Sequence, residues 1–596
     1  MKKLIISSVT LFTLLLIMIL GRPLGALYEL AWDVPQFIKF DGDIEDIEDS
    51  DSRLSISEIH NSIPLDSQIQ YDSTSQYFSN YTKYHIYPIT LEPISGENFS
   101  SEYFICNSNN FKNNDSYPYF MKLKSGHILY SKFSFVNNKA DSIIWNIVCF
   151  IFFISVVFLF GFVILSLISI NLRLKVLYSF LVGYTIVNSV QFIFLTLFSI
   201  HPTRVLFLFY SLLIIFLCFK AKRIIKNDFT SITSFVKTAF YSLVKFNKNQ
   251  RFWFFLVPSF GVFVLFSIHI FITPVWSGDA LAFWMLKAKV LANEGIQFSR
   301  IIQNEYPIFW PQFNSIIFDL QGSLNDYPLK WLVFVLLFNL SLIVFFVSRN
   351  SGIYLRSFML FLFYAFYAHA TVRSTFAETI FFLFTFFIAS IYANKDQMNK
   401  IGNSTLLIIG FIGLSLSKME GAYQFIIIAI AYHLFSKFEI KHFFLVTSLL
   451  VGYFILQSYW TSFIFDNGWD ISAHFNEGLS LTKVRVWLRT ILMSGHGALF
   501  PVSVGFGIPI MIFLCKPNVH SNRLQSFFIT AAFGTVIFSV LSILGWDTER
   551  IQTTSESATV RMMIHSFPLL IMFMYEALNG NAFFDGFGSK QKTTIT

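Results

Sequence analysis

Long apolar segments recur along this chain, and they constrain its fold more than any other feature. Several of them, such as 143–169 and 525–545, reach the roughly 20 residues that an α-helix needs to cross a bilayer. Apolar residues make up 54% of the 596 residues and charged residues only 13%, a balance that excludes an ordinary soluble protein. The sequence therefore predicts an all-α polytopic integral membrane protein.

Length and apolar periodicity predict about fourteen transmembrane helices. The first covers 1–20 and is either a signal anchor or a cleaved signal peptide. The other predicted helices cover 143–169, 175–199, 203–219, 252–273, 331–348, 353–370, 375–392, 402–417, 421–436, 442–464, 490–514, 525–545 and 562–578. Lys and Arg gather in alternate loops, which places the loop 220–251 and the tail 581–596 in the cytoplasm.

Residues 21–140 differ from the rest of the chain because they are polar and rich in Ser, Asn, Asp and Tyr. Alternating apolar and polar residues at 82–93 and 127–135 predict short strands. We expect a small extracytoplasmic α+β domain here. Accessory transmembrane helices with a basic cytoplasmic loop follow over 141–250, and a larger transmembrane module covers 251–580.

A charged insertion at 274–312 separates two apolar segments of that larger module. Apolar residues within 280–292 share one face at helical spacing, and Lys287 and Lys289 flank that face. This pattern predicts a helix lying on the membrane surface, with its lysines reaching toward the lipid headgroups.

Asp279 stands directly before the predicted helix, between Trp276 and Trp284. A carboxylate at the outer edge of a membrane bundle is partly desolvated and suited to act as a general base. Asp is also a preferred N-cap residue, so a purely structural role for Asp279 stays open.

Several basic residues fall in loops that the alternation places outside, against the positive-inside trend. They are Arg373, Lys418, Lys483, Arg485, Arg489, Arg550 and Arg561. An anionic ligand on that side would explain them. Snorkelling on an amphipathic helix explains the two arginines of 485–489 equally well, and Lys418 with Glu420 could simply flank a tight turn.

The motifs of the 251–580 module resemble those of GT-C type glycosyltransferases, in the branch that includes the dolichyl-phosphate-mannose mannosyltransferases. In the first external loop, the resemblance lies in Trp276, Asp279-Ala280, Trp284, Lys287-Ala288-Lys289 and the later Tyr306-Pro307-Ile308-Phe309-Trp310-Pro311. Further along, it lies in Ala377-Glu378-Thr379, Ser417-Lys418-Met419-Glu420-Gly421, and Arg561 with His565 and Pro568. Glu378 stands where the family usually has Asp.

The resemblance implies an inverting enzyme that takes a sugar from a polyprenyl-phosphate donor on the external face. Asp279 would take the proton of the acceptor hydroxyl, with Glu378 as a second catalytic carboxylate. The implied substrate-binding residues are Trp276, Trp284, Lys287, Tyr306, Lys418, Glu420, Arg485, Arg489, Arg561 and His565. The resemblance leaves open whether a divalent cation, Mg²⁺ or Mn²⁺, takes part.

The expected partners are the lipid-linked sugar donor, a lipid, glycan or protein acceptor, and membrane lipids, but no nucleic acid. The expected location is a bacterial plasma membrane. Two alternatives remain: a transporter or flippase of lipid-linked saccharides, and a non-catalytic membrane sensor or scaffold. A transporter should place ionisable residues near the membrane midplane, whereas the acids of this sequence gather at one face.

Overall fold

The computed structural model of this chain describes most of its helices and five short strands. The described residues are 68–71, 90–93, 103–107, 119–122, 127–131, 143–168, 172–198, 203–220, 250–272, 284–294, 307–322, 327–347, 351, 353–366, 378–395, 400–418, 420–436, 439–465, 480–493, 509, 512, 522–544, 551 and 565–579. The predicted anchor at 1–20, most of the basic loop 220–251 and the tail 581–596 lie outside these residues.

Five strands form a mixed sheet in the polar region that precedes the helices. They are β1 (Gln68–Tyr71), β2 (Thr90–Pro93), β3 (Tyr103–Asn107), β4 (Tyr119–Lys122) and β5 (His127–Ser131), in the order β2-β1-β3-β5-β4. Strand β1 is parallel to β2 and β3, whereas β5 is antiparallel to β3 and β4. Strands β2 and β5 lie within the two segments whose alternation predicted strands. The described part of 21–140 contains no helix, so the α+β class of this region stays a prediction.

The rest of the described chain is helical. In chain order, the helices are α1 (Ile143–Leu167), α2 (Leu172–Phe198), α3 (Thr203–Lys220), α4 (Gln250–Ile272), α5 (Leu286–Glu294), α6 (Phe309–Gln321), α7 (Tyr327–Phe346), α8 (Ile353–Phe366), α9 (Glu378–Ala393), α10 (Lys400–Ser417), α11 (Glu420–Phe435), α12 (Ile440–Phe465), α13 (Leu481–Met493), α14 (Arg523–Leu544) and α15 (Phe567–Leu578).

Four of these helices, α1, α2, α7 and α14, are long and apolar enough to cross a membrane. Other helices, including α9, α10 and α11, have apolar stretches of 10–17 residues. These segments support a helical membrane protein, whereas the count of about fourteen spans stays a prediction. Helix α13 covers the start of the predicted span at 490–514 up to Met493, and most of the remainder of that span lies outside the described residues.

One hydrophobic core joins the helices of 143–220 to those of the larger module, and α6 lies where the two meet. Helix α6 packs against α1, α2, α3 and α10, and nearly all its side chains are buried. The Gln312 side chain of α6 donates a hydrogen bond to the Asn188 carbonyl of α2 (2.9 Å). Sequence reasoning treated this segment only as part of a loop motif and missed the helix.

Helix α5 corrects one expectation from the sequence. A helix was predicted at 280–292, and residues 286–294 form one, but it does not lie open on a membrane surface. Lys287 and Lys289 are only 1% and 2% exposed, because α5 packs closely against α6. Both lysines are therefore enclosed by protein rather than extended toward headgroups.

Consecutive helices α9, α10 and α11 run back and forth through the bundle and pack against one another. The start of α9, the end of α10 and the start of α11 consequently lie at one end of the bundle. Helix α15 packs against α9 and α14, which brings the residues just before Phe567 to the same end. We call this end of the bundle the site end.

Close backbone contact between α1 and α2 depends on two glycines. A Cβ added at Gly161 would overlap the Ser179 carbonyl oxygen of α2, and one at Gly183 would overlap the Val157 carbonyl oxygen of α1. Small residues at such crossings let membrane helices approach backbone to backbone.

We expect Gly161→Ala to destabilise the protein by about 1–3 kcal/mol, because α1 and α2 must move apart to admit the methyl group. The measurement is the thermal unfolding midpoint of the purified chain in detergent. Gly261→Ala is the matched control, since a Cβ there has nothing within 4 Å. Equal midpoints for the two variants would contradict the close crossing.

Candidate functional site

Four charged or polar side chains from three separate parts of the sequence meet at the site end. They are Glu378 at the start of α9, Lys418 just after α10, Glu420 at the start of α11 and His565 just before α15. All four were proposed as site residues from the sequence. We call them the Lys418 cluster.

The Lys418 ammonium group is the centre of this cluster. Its Nζ lies 3.0 Å from Glu378 Oε1, 3.1 Å from His565 Nε2 and 3.9 Å from Glu420 Oε1. The first two distances are hydrogen bonds, whereas the third is a looser ion pair. An ammonium group has three hydrogens to donate; two are used by Glu378 and His565, and the third has no acceptor at hydrogen-bond distance among the described residues.

The contact between Lys418 and His565 fixes the protonation pattern of the imidazole. A charged ammonium group can only donate, so His565 Nε2 must accept. The imidazole is then neutral, with its proton on Nδ1. With one lysine and two glutamates ionised, the Lys418 cluster has a net charge of −1.

The cluster is enclosed by protein. Lys418 is 6% exposed, Glu378 7% and His565 2%, while Glu420 is partly exposed. The Phe381 ring packs on the imidazole of His565 with centroids 4.2 Å apart, and the Lys418 ammonium lies 5.8 Å from the same ring centroid. In this apolar setting the charges interact more strongly than they would in water.

Local sequence explains how two helix ends hold Lys418 and Glu420 so close together. The Gly421 N–H donates to the Lys418 carbonyl (2.9 Å), which closes a tight turn between α10 and α11. A Cβ on Gly421 would overlap the Leu414 carbonyl oxygen of α10, so the sharp reversal needs a glycine. Glu378 and Glu420 both lie in first turns, where the helix dipole favours a negative charge.

Helix α2 of the accessory region contacts the residue that precedes Lys418. The fully buried Tyr184 hydroxyl of α2 is hydrogen-bonded to Ser417 Oγ (2.9 Å), one residue before Lys418. The Tyr184 ring also packs on Phe313 of α6, with centroids 4.7 Å apart. The accessory helices therefore take part in positioning Lys418.

Sequence reasoning missed the supporting residues Phe381 and Tyr184. Phe381 carries a usable signal, because it follows Glu378 by three residues and so lies on the same face of α9. Tyr184 lies inside an apolar helix far away in sequence, and only the packing of α2 against α10 reveals its role.

The described cluster does not fit a divalent cation. No group of three His, Cys, Asp or Glu side chains among the described residues could hold a metal ion. The Lys418 ammonium occupies the place between Glu378 and Glu420 where a cation would have to lie. We therefore derive no chemical step at this cluster through Mg²⁺ or Mn²⁺.

None of the remaining predicted site residues is a member of the Lys418 cluster, and several lie outside the described residues. Trp284, two residues before α5, and Lys287, at the start of α5, are both buried, whereas Arg485 is exposed on α13. Arg489 belongs to α13, but its side chain lies outside the described part of the structure. Asp279, Trp276, Tyr306 and Arg561 also lie outside the described residues, so their roles stay predictions.

Removing either partner of the Lys418–Glu378 pair should lower the stability of the protein more than removing both partners together. Lys418→Met removes the ammonium counter-charge of the buried Glu378 carboxylate, and Glu378→Gln removes the closest counter-charge of the buried ammonium group, so each should cost about 3–5 kcal/mol. The double variant should recover much of this loss. The measurement is the thermal unfolding midpoint in detergent.

Arg485→Met is the control for this double-mutant cycle, because Arg485 is exposed. It should leave the midpoint close to that of the native chain. Additive losses in the double variant would show that the pair is not coupled.

Comparison of this chain with protein-family models, with curated proteins and with solved structures finds no match.

Proposed function

We propose that this chain is an inverting glycosyltransferase of GT-C type that moves a sugar from a polyprenyl-phosphate donor to an acceptor. The single observation that supports this most is the convergence of three motif segments on the Lys418 cluster. Glu378, Lys418 with Glu420, and His565 belong to segments that resemble successive motifs of that family, and they are in contact at one end of the bundle.

The reaction needs a base for the acceptor and a cation for the leaving group. In our proposal Asp279 takes the proton of the acceptor hydroxyl as its oxygen attacks the anomeric carbon. The bond between that carbon and the phosphate oxygen breaks, and the electron pair leaves with the polyprenyl phosphate. Hydrogen bonds to this phosphate from cationic side chains stabilise its developing charge.

Lys418 suits the phosphate-stabilising role because one of its three ammonium hydrogens is left over by the cluster. Glu378 and His565 hold the ammonium group in place, so it needs no reorganisation when charge develops on a phosphate oxygen. Arg561, Arg485 and Arg489 are further candidates for the same anion.

Glu420 suits acceptor binding because it is the partly exposed member of the cluster. Its Oε2 atom is buried without a hydrogen-bond partner among the described residues. A buried carboxylate oxygen without a donor is costly, and a sugar or acceptor hydroxyl would supply the donor.

The proposal includes a cellular setting. About fourteen spans would form a GT-C-like module with accessory helices and an extracytoplasmic N-terminal domain. The site end would face the outside of a bacterial plasma membrane, and the enzyme would act in cell-envelope glycan synthesis. Phe-rich grooves between helices would hold the prenyl chain at about 0.8 kcal/mol per buried CH₂ group.

A transporter of lipid-linked saccharides is the second candidate, because ionisable residues buried in a membrane bundle often mark transport pathways. The Lys418 cluster is such a group. Its position at helix ends, rather than halfway along the helices, favours the enzyme. A non-catalytic sensor or scaffold would tolerate loss of Asp279.

The test uses purified protein with radiolabelled polyprenyl-phosphate sugars and follows transfer to acceptors in membranes. We expect transfer by the native chain, and its loss by at least a hundredfold in Asp279→Asn, because general-base catalysis typically contributes 10²–10⁴-fold. Glu420→Gln should fold normally and reduce transfer by raising the KM for the acceptor.

Lys441→Gln is the control, since Lys441 is an exposed charge at the opposite end of the bundle. It should leave transfer unchanged. Equal transfer by the native chain and Asp279→Asn would overturn the assignment of the base. Binding of the lipid-linked sugar without transfer, together with its movement across reconstituted vesicles, would favour the transporter.

A further inference from the structure

A second polar cluster lies at the other end of the bundle, and the proposed sugar transfer makes no use of it. It consists of Tyr392, Lys395, Tyr432, His433, His442 and Arg523, and we call it the histidine-pair cluster. These residues lie where α9 and α11 end and where α12 and α14 begin. Helix α9 has 16 residues, which separates this end from the site end by about 24 Å.

Two imidazoles are in direct contact within this cluster. His433 Nε2 and His442 Nδ1 are 2.7 Å apart, a hydrogen bond in which one nitrogen donates and the other accepts. His442 is only 6% exposed, and its other nitrogen, Nε2, is buried without a hydrogen-bond partner among the described residues.

Tyr392 adds a second polar group of the same kind. It is 2% exposed, and its hydroxyl also has no hydrogen-bond partner among the described residues. The Tyr392 ring lies against the His442 ring, with centroids 5.5 Å apart. Burying a polar group without a partner is unfavourable, so two adjacent cases indicate a ligand that supplies the missing partners.

The charges beside these groups indicate the sign of the ligand. Lys395 Nζ lies 5.2 Å from the Tyr432 ring centroid, and the Arg523 guanidinium lies 5.5 Å from it. Arg523 also donates to the Tyr432 hydroxyl (3.2 Å). The exposed Glu439 pairs with Lys395 at 3.0 Å, which leaves one net positive charge with both imidazoles neutral.

We propose that the histidine-pair cluster binds a phosphate group. Phosphate oxygens would accept from the Tyr392 hydroxyl and from His442 Nε2–H, while Lys395 and Arg523 supply the positive charge. With its proton on Nε2, His442 accepts from His433 through Nδ1, so the histidine pair and the phosphate contact need the same tautomer.

A membrane lipid is the favoured source of this phosphate. Large apolar side chains next to the cluster are exposed, including Leu434 (66%), Ile440 (60%) and Phe444 (62%). Acyl chains would cover such side chains while the headgroup phosphate reaches the cluster. Basic pockets between membrane helices are known to bind anionic headgroups in this way.

The first experiment measures ligand-induced stabilisation of the purified full-length chain in detergent. Inorganic phosphate, dihexanoyl phosphatidic acid and dihexanoyl phosphatidylcholine are titrated separately, with chloride matching the ionic strength. A ligand that binds the folded state raises the unfolding midpoint in proportion to its saturation. We expect phosphatidic acid to stabilise the protein more strongly than inorganic phosphate, and phosphatidylcholine least of all.

Tyr392→Phe is the decisive variant because it removes only the hydroxyl. We expect it to weaken phosphatidic acid binding about tenfold or more, as befits a lost hydrogen bond to a charged group. Its midpoint without ligand should stay the same or rise, since the hydroxyl has no partner within the described structure. Lys441→Gln removes an exposed charge beside His442 and should bind like the native chain.

The results of these titrations distinguish a lipid-binding site from a site for free phosphate and from the lack of a phosphate site. Stabilisation by inorganic phosphate alone, lost in Tyr392→Phe, would keep the phosphate site but assign it a free anion instead of a lipid. Lack of stabilisation by either anion, or equal binding by Tyr392→Phe, would overturn the proposal. A lower midpoint of ligand-free Tyr392→Phe would also count against it, because the hydroxyl would then be structural. None of these results depends on sugar transfer.

Discussion

The burial of the Lys418 ammonium group is the constraint on which the site end depends. A charged amine enclosed by protein must be neutralised and hydrogen-bonded, or the fold loses several kcal/mol. Glu378 and His565 meet that requirement, each from a different helix end. The positions of α9, α10 and α15 are consequently linked, and the turn at Gly421 adds α11. A polar network of this kind favours one arrangement of the helices over others that would pack equally well by apolar contact alone.

The two ends of the bundle present different chemistry. The Lys418 cluster has one more negative than positive charge, and, among the described residues, neither the third ammonium hydrogen of Lys418 nor Glu420 Oε2 has a hydrogen-bond partner. The histidine-pair cluster, counted with Glu439, has one more positive than negative charge, together with two hydrogen-bonded imidazoles and the hydroxyl of Tyr392. Helices α9 and α11 each run from one cluster to the other, so the two clusters are joined by the same hydrophobic core. Substitutions in one cluster should therefore leave the contacts of the other cluster intact.

The members of the Lys418 cluster could be selected from the sequence because charged residues are rare in apolar surroundings and therefore conspicuous. Their contacts could not be predicted, since Glu378 and His565 are far apart in the chain. Helix α5 shows a failure of a different kind. The spacing of apolar residues around Lys287 correctly predicted a helix. However, helix α6, which was not predicted, covers the face that was expected to contact lipid. The supporting role of Tyr184 gave no sequence signal, because a tyrosine within an apolar helix reads as an ordinary core residue.

The sequence by itself determined the class of the protein and the positions of most helices. Hydrophobic length and periodicity are local properties, and the bilayer requires every spanning backbone to satisfy its own hydrogen bonds. Only the tertiary structure decided which helix ends meet, that Lys418 pairs with Glu378 and His565, and that His433 lies against His442. These contacts depend on how apolar helix faces pack against one another, and many helix pairings satisfy a similar hydrophobic pattern.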